Sequence, residues 1–445
     1  MTSPGTEATP RTHIERVHPR LDPLKPAGDP SEPTVKRVDR PHSPLEELVR
    51  DLGRPFGLRK ELVCGPPGSG KSTELLALVA RVQHRHLVLM LDLRAHFEHQ
   101  RGDAAALNRL QTWEVLSVIG LALYRYGEEL GLAWETEHTE ALAAGLKGPA
   151  KVDITLDVGG LAKEIALLVS ALAIGPAAEA GLKTVAAVAG NISAKLPLGL
   201  DDPTRRLPDQ DEQVQHLRAA VTLLGQALQD HFHRKLLVVV DGIDRGDTDL
   251  ARRLFEESRL LATLPWHQIY CAPQSLRKRN VSGFDARPIC SLPVRKKEDP
   301  WAYGGGIAFF RALWRSRAES AGVPLGLLPT DCLDRLAWAS GGFVRQFLEM
   351  AIDALELAWD DDTCVTTDHV NAVEDRWRRR WEEDLGSTRK AALKDVLEHR
   401  VHDDSSLQLE LIDQRCIVAY PNDSIWYSPH PLLLIHFVAT RPVPE

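Results

Sequence analysis

A nine-residue stretch from residue 65 to residue 73, GPPGSGKST, has the residue types and spacing of a phosphate-binding loop. It fits the pattern GxxxxGK[ST] at every specified position, directly after an apolar run and before a helical pattern. Backbone N–H groups of such a loop converge on phosphate oxygens, and the following helix N-terminus adds partial positive charge. We expect Lys71 to reach the β and γ phosphates and the Ser72 hydroxyl to bind Mg²⁺. The predicted phosphate-binding residues are Gly65, Pro66, Pro67, Gly68, Ser69, Gly70, Lys71, Ser72 and Thr73.

Two acidic residues supply the rest of this chemistry. Asp241 follows five apolar residues, which predicts the C-terminal end of a strand, where ligands of open α/β sheets bind. We expect Asp241 to hold the metal ion together with Ser72, from a strand next to the one that leads into the loop. Lys71 and Asp244 are the predicted catalytic residues, with Asp244 orienting the attacking water as a general base. The alternative for Asp244 is a helix-capping aspartate.

The segments around these residues alternate between strand and helix patterns. Continuous apolar runs predict buried strands at 61–64, 86–93, 235–244, 267–271 and 289–294. Helical patterns between them favour an α/β fold, a P-loop nucleoside triphosphatase with a doubly wound parallel sheet.

The predicted domains follow from the same patterns. The core covers residues 45–304, and a helical region covers 305–385. In the last region, 386–445, short helices precede two β-rich runs around a Pro-Asn-Asp turn, which predicts a winged helix.

Two stretches differ from the rest in composition. Residues 1–44 hold nine prolines mixed with charges of both signs, and we predict a flexible arm because such a segment buries little apolar surface. An Ala- and Gly-rich insert at about 150–205 includes 14 uncharged residues in a row, 165–178. A membrane span needs about 18–20. We predict a helical hairpin packed by small residues; the alternative is a membrane-inserting or oligomerising insert.

The overall composition limits the class of protein. The chain has 445 residues, with 54 basic and 62 acidic side chains and a formal net charge of −8. This charge argues against nucleic-acid binding through a generally basic surface. The first residues lack the apolar core of a secretory signal. Six scattered cysteines without a CxxC pair favour reduced thiols in the cytoplasm over disulfides or a zinc site.

The motif LVVVDGID, at 237–244, and the loop opening GPPGSGKSTELL together resemble the STAND branch of AAA+-related P-loop ATPases, which belong to the ASCE class. Typical AAA+ proteins have glutamate directly after the metal-binding aspartate, whereas this chain has Gly242. The resemblance covers roughly residues 45–445. It implies a nucleotide-binding core, a helical lid and a winged helix, with ATP or ADP and Mg²⁺ as cofactors.

The same resemblance implies three further nucleotide contacts. Arg345, in the motif SGGFVR, matches the lid arginine that reaches the nucleotide; the alternative is a surface arginine after a glycine-led helix start. His430 is placed like the winged-helix histidine that contacts bound ADP, or it is a packing residue. The arginine that the family has after the strand at 267–271 is missing here. Gln274 replaces it as a neutral sensor of the γ-phosphate, or Arg277 takes that role.

Together these features predict a cytoplasmic ATPase that acts as a nucleotide-controlled switch, without a transmembrane span. Its output is expected to run through self-assembly or an effector protein, because the sequence contains no recognisable effector domain. One rival is a DNA-binding regulator of the origin-recognition or transcription-factor kind, although its recognition helix at 407–415 would carry Glu410 and Asp413 against Arg415. The second rival is a small-molecule kinase, which would leave most of the chain without a role.

Overall fold

A computed structural model describes residues 9–27, 36–93, 104–150, 208–246, 248–278, 281, 283–403, 405–421 and 424–438. The predicted Ala- and Gly-rich insert at about 150–205 lies outside these residues, apart from residue 150 itself. The chain divides into two compact units. The sheet unit comprises residues 44–65 and 74–288, and the helical unit comprises residues 1–43, 66–73 and 289–445. Within the described ranges, none of the helices has the length and apolar character needed to cross a membrane.

The helices and strands alternate along the first part of the chain, and helices dominate the second part. In chain order the α-helices are α1 (Pro10–Val17), α2 (Leu45–Leu52), α3 (Lys71–Val82), α4 (Thr112–Glu129), α5 (Thr136–Ala150), α6 (Glu212–Phe232), α7 (Thr248–Arg252), α8 (Ile307–Ala321), α9 (Thr330–Ala339), α10 (Val344–Asp360), α11 (Thr367–Glu382), α12 (Ser387–His399) and α13 (Ser406–Asp413). The strands are β1 (Lys60–Cys64), β2 (His86–Asp92), β3 (Lys235–Asp241), β4 (His267–Ala272), β5 (Asp285–Pro288), β6 (Ile417–Tyr420) and β7 (Trp426–Pro429).

The sheet unit contains a five-stranded parallel sheet in the order β2-β3-β4-β1-β5. The predicted α/β fold with a parallel sheet is therefore confirmed. Strands β2, β3 and β4 are buried almost throughout, as their unbroken apolar runs require. The parallel register brings the C-terminal ends of these strands to one edge of the sheet, with Asp92 level with Asp241 and Cys64 level with Ala272.

The position of β4 corrects one expectation from the sequence. We expected the strand before the phosphate loop, β1, to be adjacent to β3, which ends at Asp241, but β4 lies between them. Neighbouring strands are about 4.8 Å apart, so β1 and β3 are separated by about 10 Å. β4 comes after both β1 and β3 in the chain, yet it pairs with each of them. The order of the strands along the sequence therefore does not reveal their order in the sheet.

The predicted strand at 289–294 is wrong. The fifth strand is β5, which ends at Pro288, and the apolar run that follows belongs to the helical unit. There Ser291 N donates to Ala419 O at 3.0 Å, and Leu292 N donates to Gly342 O at 3.1 Å. The run is apolar because Leu292 and Val294 are buried in a helical core, not because it extends the sheet.

A core of helices and strands fills the sheet unit. Helix α4 is buried along most of its length and packs against α6. Gly120 makes this close approach possible, because a Cβ atom there would lie 2.7 Å from Val221 Cγ2. Trp266 is fully buried against Gly225 of α6 in the same way.

The N-terminal residues of the helical unit differ from the predicted flexible arm. Helix α1 is capped by Thr9, whose side chain accepts from Thr12 N, and it begins with a proline, which suits the first helical position. Ile14, Val17 and Leu21 share one face and are buried in the core that α8, α9 and α10 form. For the described residues of 1–44, the expectation of a flexible arm is therefore wrong, because a short apolar face is hidden among many prolines.

The C-terminal residues contain the hairpin that the sequence predicts. Strands β6 and β7 are antiparallel, with Val418 opposite Ser428, and they follow α12 and α13. A small core that includes Leu393, Leu411 and Leu433 holds these elements together.

Candidate functional site

The phosphate loop has a compact backbone that depends on two glycines. Gly68 has φ +79° and Gly70 has φ +95°, a region that side chains with a Cβ atom rarely adopt. Ser69 N donates to Pro66 O at 3.2 Å, and Lys71 Nζ donates to the same carbonyl oxygen at 2.8 Å. Helix α3 begins at Lys71, so the N–H groups of its first turn lie at the end of the loop.

Arg345 lies directly against this loop in the helical unit. Its backbone N donates to Gly68 O at 3.2 Å, and its own Cβ lies 2.8 Å from the position that a Cβ on Gly68 would occupy. Its Nε donates to Pro23 O at 3.2 Å. The structure therefore brings together two elements that the sequence singled out separately, the loop and the motif that ends in Arg345.

Arg40 is a loop contact that the sequence reasoning missed. Its guanidinium donates to Ser69 O and to Cys290 O, and Nη1 lies 3.2 Å from the ideal Cβ position of Gly70. The side chain is buried, with the residue 9% exposed. Nothing in the spacing of the sequence marks Arg40, because it lies in the stretch that its prolines assigned to a flexible arm.

His430 is fully buried in the helical unit and makes packing contacts. Its ring lies 4.2 Å from the Trp381 ring and parallel to Phe343 at 6.2 Å, centroid to centroid. Nε2 lies 2.7 Å from the ideal Cβ position of Gly341, and Nδ1 accepts from Leu432 N at 3.3 Å. Burial, reinforced by the nearby Arg415 charge, lowers the pKa of His430 to about 3, so the imidazole is neutral at physiological pH.

The phosphate loop and His430 therefore contact the motif SGGFVR, residues 340–345, at different residues. Gly341 of this motif contacts His430, and Arg345 contacts Gly68 of the loop. These contacts agree with the packing alternative for His430, and a direct contact with a nucleotide stays a prediction.

In the sheet unit, Asp241, Asp244 and Cys271 each place one potential ligand atom within 4.8 Å of the others, and all three residues are buried. Gly242, with φ +90°, turns the chain directly after β3 and donates from its N to Asp241 Oδ1 at 2.8 Å. Asp244 lies inside the 3-10 turn that follows and not at the start of α7, four residues later.

The two carboxylates of this cluster fit a hard divalent cation. Carboxylate oxygens are the ligands that Mg²⁺ prefers, and the two aspartates supply them, whereas a thiol suits softer ions. Sequence reasoning missed Cys271, because only the strand order places β4 next to β3.

Gln274 lies directly beyond β4, with one proline between them, and begins the 3-10 turn Gln274–Lys278. It is 4% exposed, and Arg277 of the same turn is partly buried. Both are therefore at the C-terminal end of a strand that lies between β1 and β3. No protein-family model matches the chain, and the search of curated proteins finds no match either.

Proposed function

We propose that this protein binds Mg-ATP and hydrolyses it, slowly, as a nucleotide-controlled switch of the STAND type. The observation that carries the proposal is the geometry of the phosphate loop. Two glycines with positive φ, a buried lysine and a helix that begins at that lysine form a loop suited to phosphate oxygens. Such a loop stabilises the charge that spreads over a triphosphate during phosphoryl transfer.

The metal ion is proposed to be held by Ser72 and Asp241, with Asp244 orienting the attacking water. This part rests on the sequence pattern and on the pairing of the two carboxylates at one edge of the sheet. A bound Mg²⁺ would bridge phosphate oxygens and neutralise developing charge. Gln274 is proposed to sense the γ-phosphate from the end of β4.

The switch is proposed to work through the regions that the sequence predicts as lid, 305–385, and winged helix, 386–445. ADP would hold the resting form through Arg345 and His430, and exchange for ATP would release it and permit assembly or contact with an effector. The hydrogen bond from Arg345 N to Gly68 O supports the proposed role of Arg345, because this residue lies beside the loop. His430 contacts Gly341 in the same motif, and its proposed role toward ADP rests on the family resemblance.

The two rival functions receive less support. In the predicted recognition helix, α13, Leu409, Leu411 and Ile412 are buried and the exposed Glu410 pairs with Arg389 at 2.7 Å. This helix surface is therefore poorly suited to binding the negatively charged phosphates of DNA. A kinase would transfer the phosphate to an acceptor molecule. An assay of phosphate release without an added acceptor therefore tests this alternative.

The decisive experiment is nucleotide binding by Lys71→Ala, measured by calorimetry with Mg-ATP and Mg-ADP. We expect binding to be lost, because Lys71 supplies the only side-chain ammonium of the loop. Lys394→Ala is the control, since that lysine lies exposed on α12 and pairs only loosely with Glu398, at 3.8 Å. Unchanged ATP affinity in Lys71→Ala would contradict the proposal, and phosphate release without an acceptor would exclude the kinase.

A further inference from the structure

The N-terminal segment, defined as residues 9–27 and 36–43, contacts the phosphate loop through a buried arginine. Arg40 donates one hydrogen bond to Ser69 O and another to Cys290 O, so its planar guanidinium bridges two backbone carbonyl groups. Hydrogen bonds from a charged donor are stronger than those between neutral groups.

The contact with Ser69 fixes the orientation of one peptide group in the loop. In a trans peptide the carbonyl oxygen and the N–H of the next residue point in opposite directions. Because Arg40 holds the oxygen of Ser69, the N–H of Gly70 must point away from the guanidinium. Gly70 has φ +95°, so its backbone would otherwise sample several conformations.

A second contact links the same segment to Arg345. Pro23 O accepts from Arg345 Nε at 3.2 Å, and Arg345 N donates to Gly68 O at 3.2 Å. The segment therefore reaches the loop directly at Ser69 and, through Arg345, at Gly68.

The segment is held in place by its own packing and hydrogen bonds. Three apolar side chains of residues 14–21 are buried in the helical core. Arg11 donates from Nε to Trp359 O at 3.1 Å, and Arg16 donates to Ala321 O at 2.9 Å. Residues 9–27, Arg40 and residues 66–73 of the loop all belong to the same compact unit.

We propose that Arg40 is a positioning residue of the phosphate loop, and that docking of the N-terminal segment and phosphate binding favour each other. The inference rests on the proposed function and extends it. Arg40 binds carbonyl oxygens, so it leaves the N–H groups of the loop available to phosphate. Its positive charge also lies close to an anion site, which favours binding. By linkage, bound nucleotide must stabilise the docked segment by the same factor.

The test compares Arg40→Gln with a variant on the same segment. In Arg37→Gln the lost arginine is one that pairs with the exposed Asp39 at 2.6 Å. We expect Arg40→Gln to weaken Mg-ADP and Mg-ATP binding about ten- to a hundredfold, the loss typical of a charged hydrogen-bond donor, and Arg37→Gln to change it less than about twofold. Arg40→Lys should fall between them, since an ammonium cannot bridge both carbonyls in the same fork geometry.

Hydrogen exchange of the unaltered protein gives a second readout that does not depend on how a variant folds. Adding Mg-ADP should slow amide exchange in residues 10–21, and this slowing should be lost in Arg40→Gln.

The outcomes separate the two proposals. If the unaltered protein binds nucleotide but Arg40→Gln binds it equally well or more tightly, or if exchange in residues 10–21 does not respond to Mg-ADP, the inference is wrong and the proposed function stands. If the unaltered protein binds no nucleotide, the proposed function fails and the inference fails with it.

Discussion

The phosphate loop and the acid cluster are built by different means. The loop is a continuous stretch whose shape depends on backbone conformation, above all on Gly68 and Gly70. The acid cluster combines Asp241 and Asp244, beyond β3, with Cys271 of β4, and its shape depends on strand order and register. In the loop, backbone N–H groups would provide most of the binding to phosphate. In the cluster, the charges of the side chains would bind the metal ion.

This difference has a direct consequence for mutagenesis. An isosteric change that removes charge should disable the cluster and leave the loop intact. Adding a single methyl group at a glycine should weaken binding by the loop and leave the cluster intact.

The largest effect is expected for Asp241→Asn, which keeps the shape of the side chain and removes the charge that would hold Mg²⁺. Phosphate release from Mg-ATP should fall about a thousandfold, because metal-ion charge stabilisation contributes several kcal/mol to such a reaction. Nucleotide affinity measured in excess chelator should stay near that of the parent, since the loop alone then binds the phosphates. A steady-state phosphate assay and calorimetry with and without Mg²⁺ measure both quantities.

The control for this variant is Asp249→Asn, because Asp249 is exposed and pairs with Arg252 on α7. If Asp241→Asn loses nucleotide affinity equally with and without Mg²⁺, its role is not metal binding.

The next effect concerns the stability of both units at acidic pH. Burial, helped by the nearby charges of His86, Lys235 and Arg59, lowers the pKa of His267 from 6.5 to about 4. Its Nδ1 accepts from Arg59 N at 2.9 Å, a bond that protonation at this nitrogen would break. In the helical unit, burial lowers the pKa of His430 from 6.5 to about 3.

The sign of the pH effect follows from these shifts. Between the folded and the unfolded pKa values, the unfolded chain binds more protons, so the free energy of unfolding falls as pH decreases. The loss begins near pH 6.5 and continues to about pH 4 for His267 and about pH 3 for His430. Each histidine removes up to about 1.4 kcal/mol per pH unit in this range. Thermal melts from pH 7 to pH 4 should show this decline.

Two variants test the assignment of this decline. His267→Gln should make the melting temperature less dependent on pH, whereas His216→Gln, at an exposed side chain of α6, should leave the dependence unchanged. An identical pH dependence in His267→Gln and the parent would contradict the role of His267.

The smallest effect is expected from Gly68→Ala. The added Cβ would sit 2.8 Å from Arg345 Cβ at a residue with φ +79°, so the loop must shift. A left-handed conformation costs about 1–2 kcal/mol for a residue with a Cβ, and we expect about tenfold weaker nucleotide binding. Gly57→Ala is a matched control, because Gly57 has φ +75° but no atom within 4 Å of its ideal Cβ position.

Comparing the two variants should distinguish the effect of backbone strain from the effect of the contact with Arg345. Gly57→Ala should lower the melting temperature and leave nucleotide affinity unchanged, while Gly68→Ala should lower affinity. Equal affinities in Gly68→Ala and the parent would show that the loop shape does not depend on this glycine.

Features that depend on neighbouring residues could be predicted from the sequence. The glycine-rich turn between β1 and α3, strands β1 to β4 and the C-terminal hairpin are each marked by a local motif, by a continuous apolar run or by a turn. The strand ends that carry Asp241 and Asp244 could be located for the same reason.

Features that depend on distant pairing could not be predicted. The insertion of β4 between β1 and β3, and with it the role of Cys271, follows from strand order alone. The run at 289–294 is apolar because its side chains pack in a helical core. An apolar run alone does not show whether it is buried in such a core or in a sheet. Arg40 contacts carbonyl oxygens, which every residue carries, so no pattern of residue types marks its partners.

The burial of α1 has a practical consequence for choosing where a shortened version of this protein should begin. A start at residue 45, which the proline content invites, would remove Ile14, Val17 and Leu21 and expose the apolar surfaces they cover. Each such side chain is worth about 1.5–3 kcal/mol when buried, against a total stability of about 5–15 kcal/mol for a typical protein. The exposed surfaces would promote aggregation, so a shortened version should keep residues 10–21.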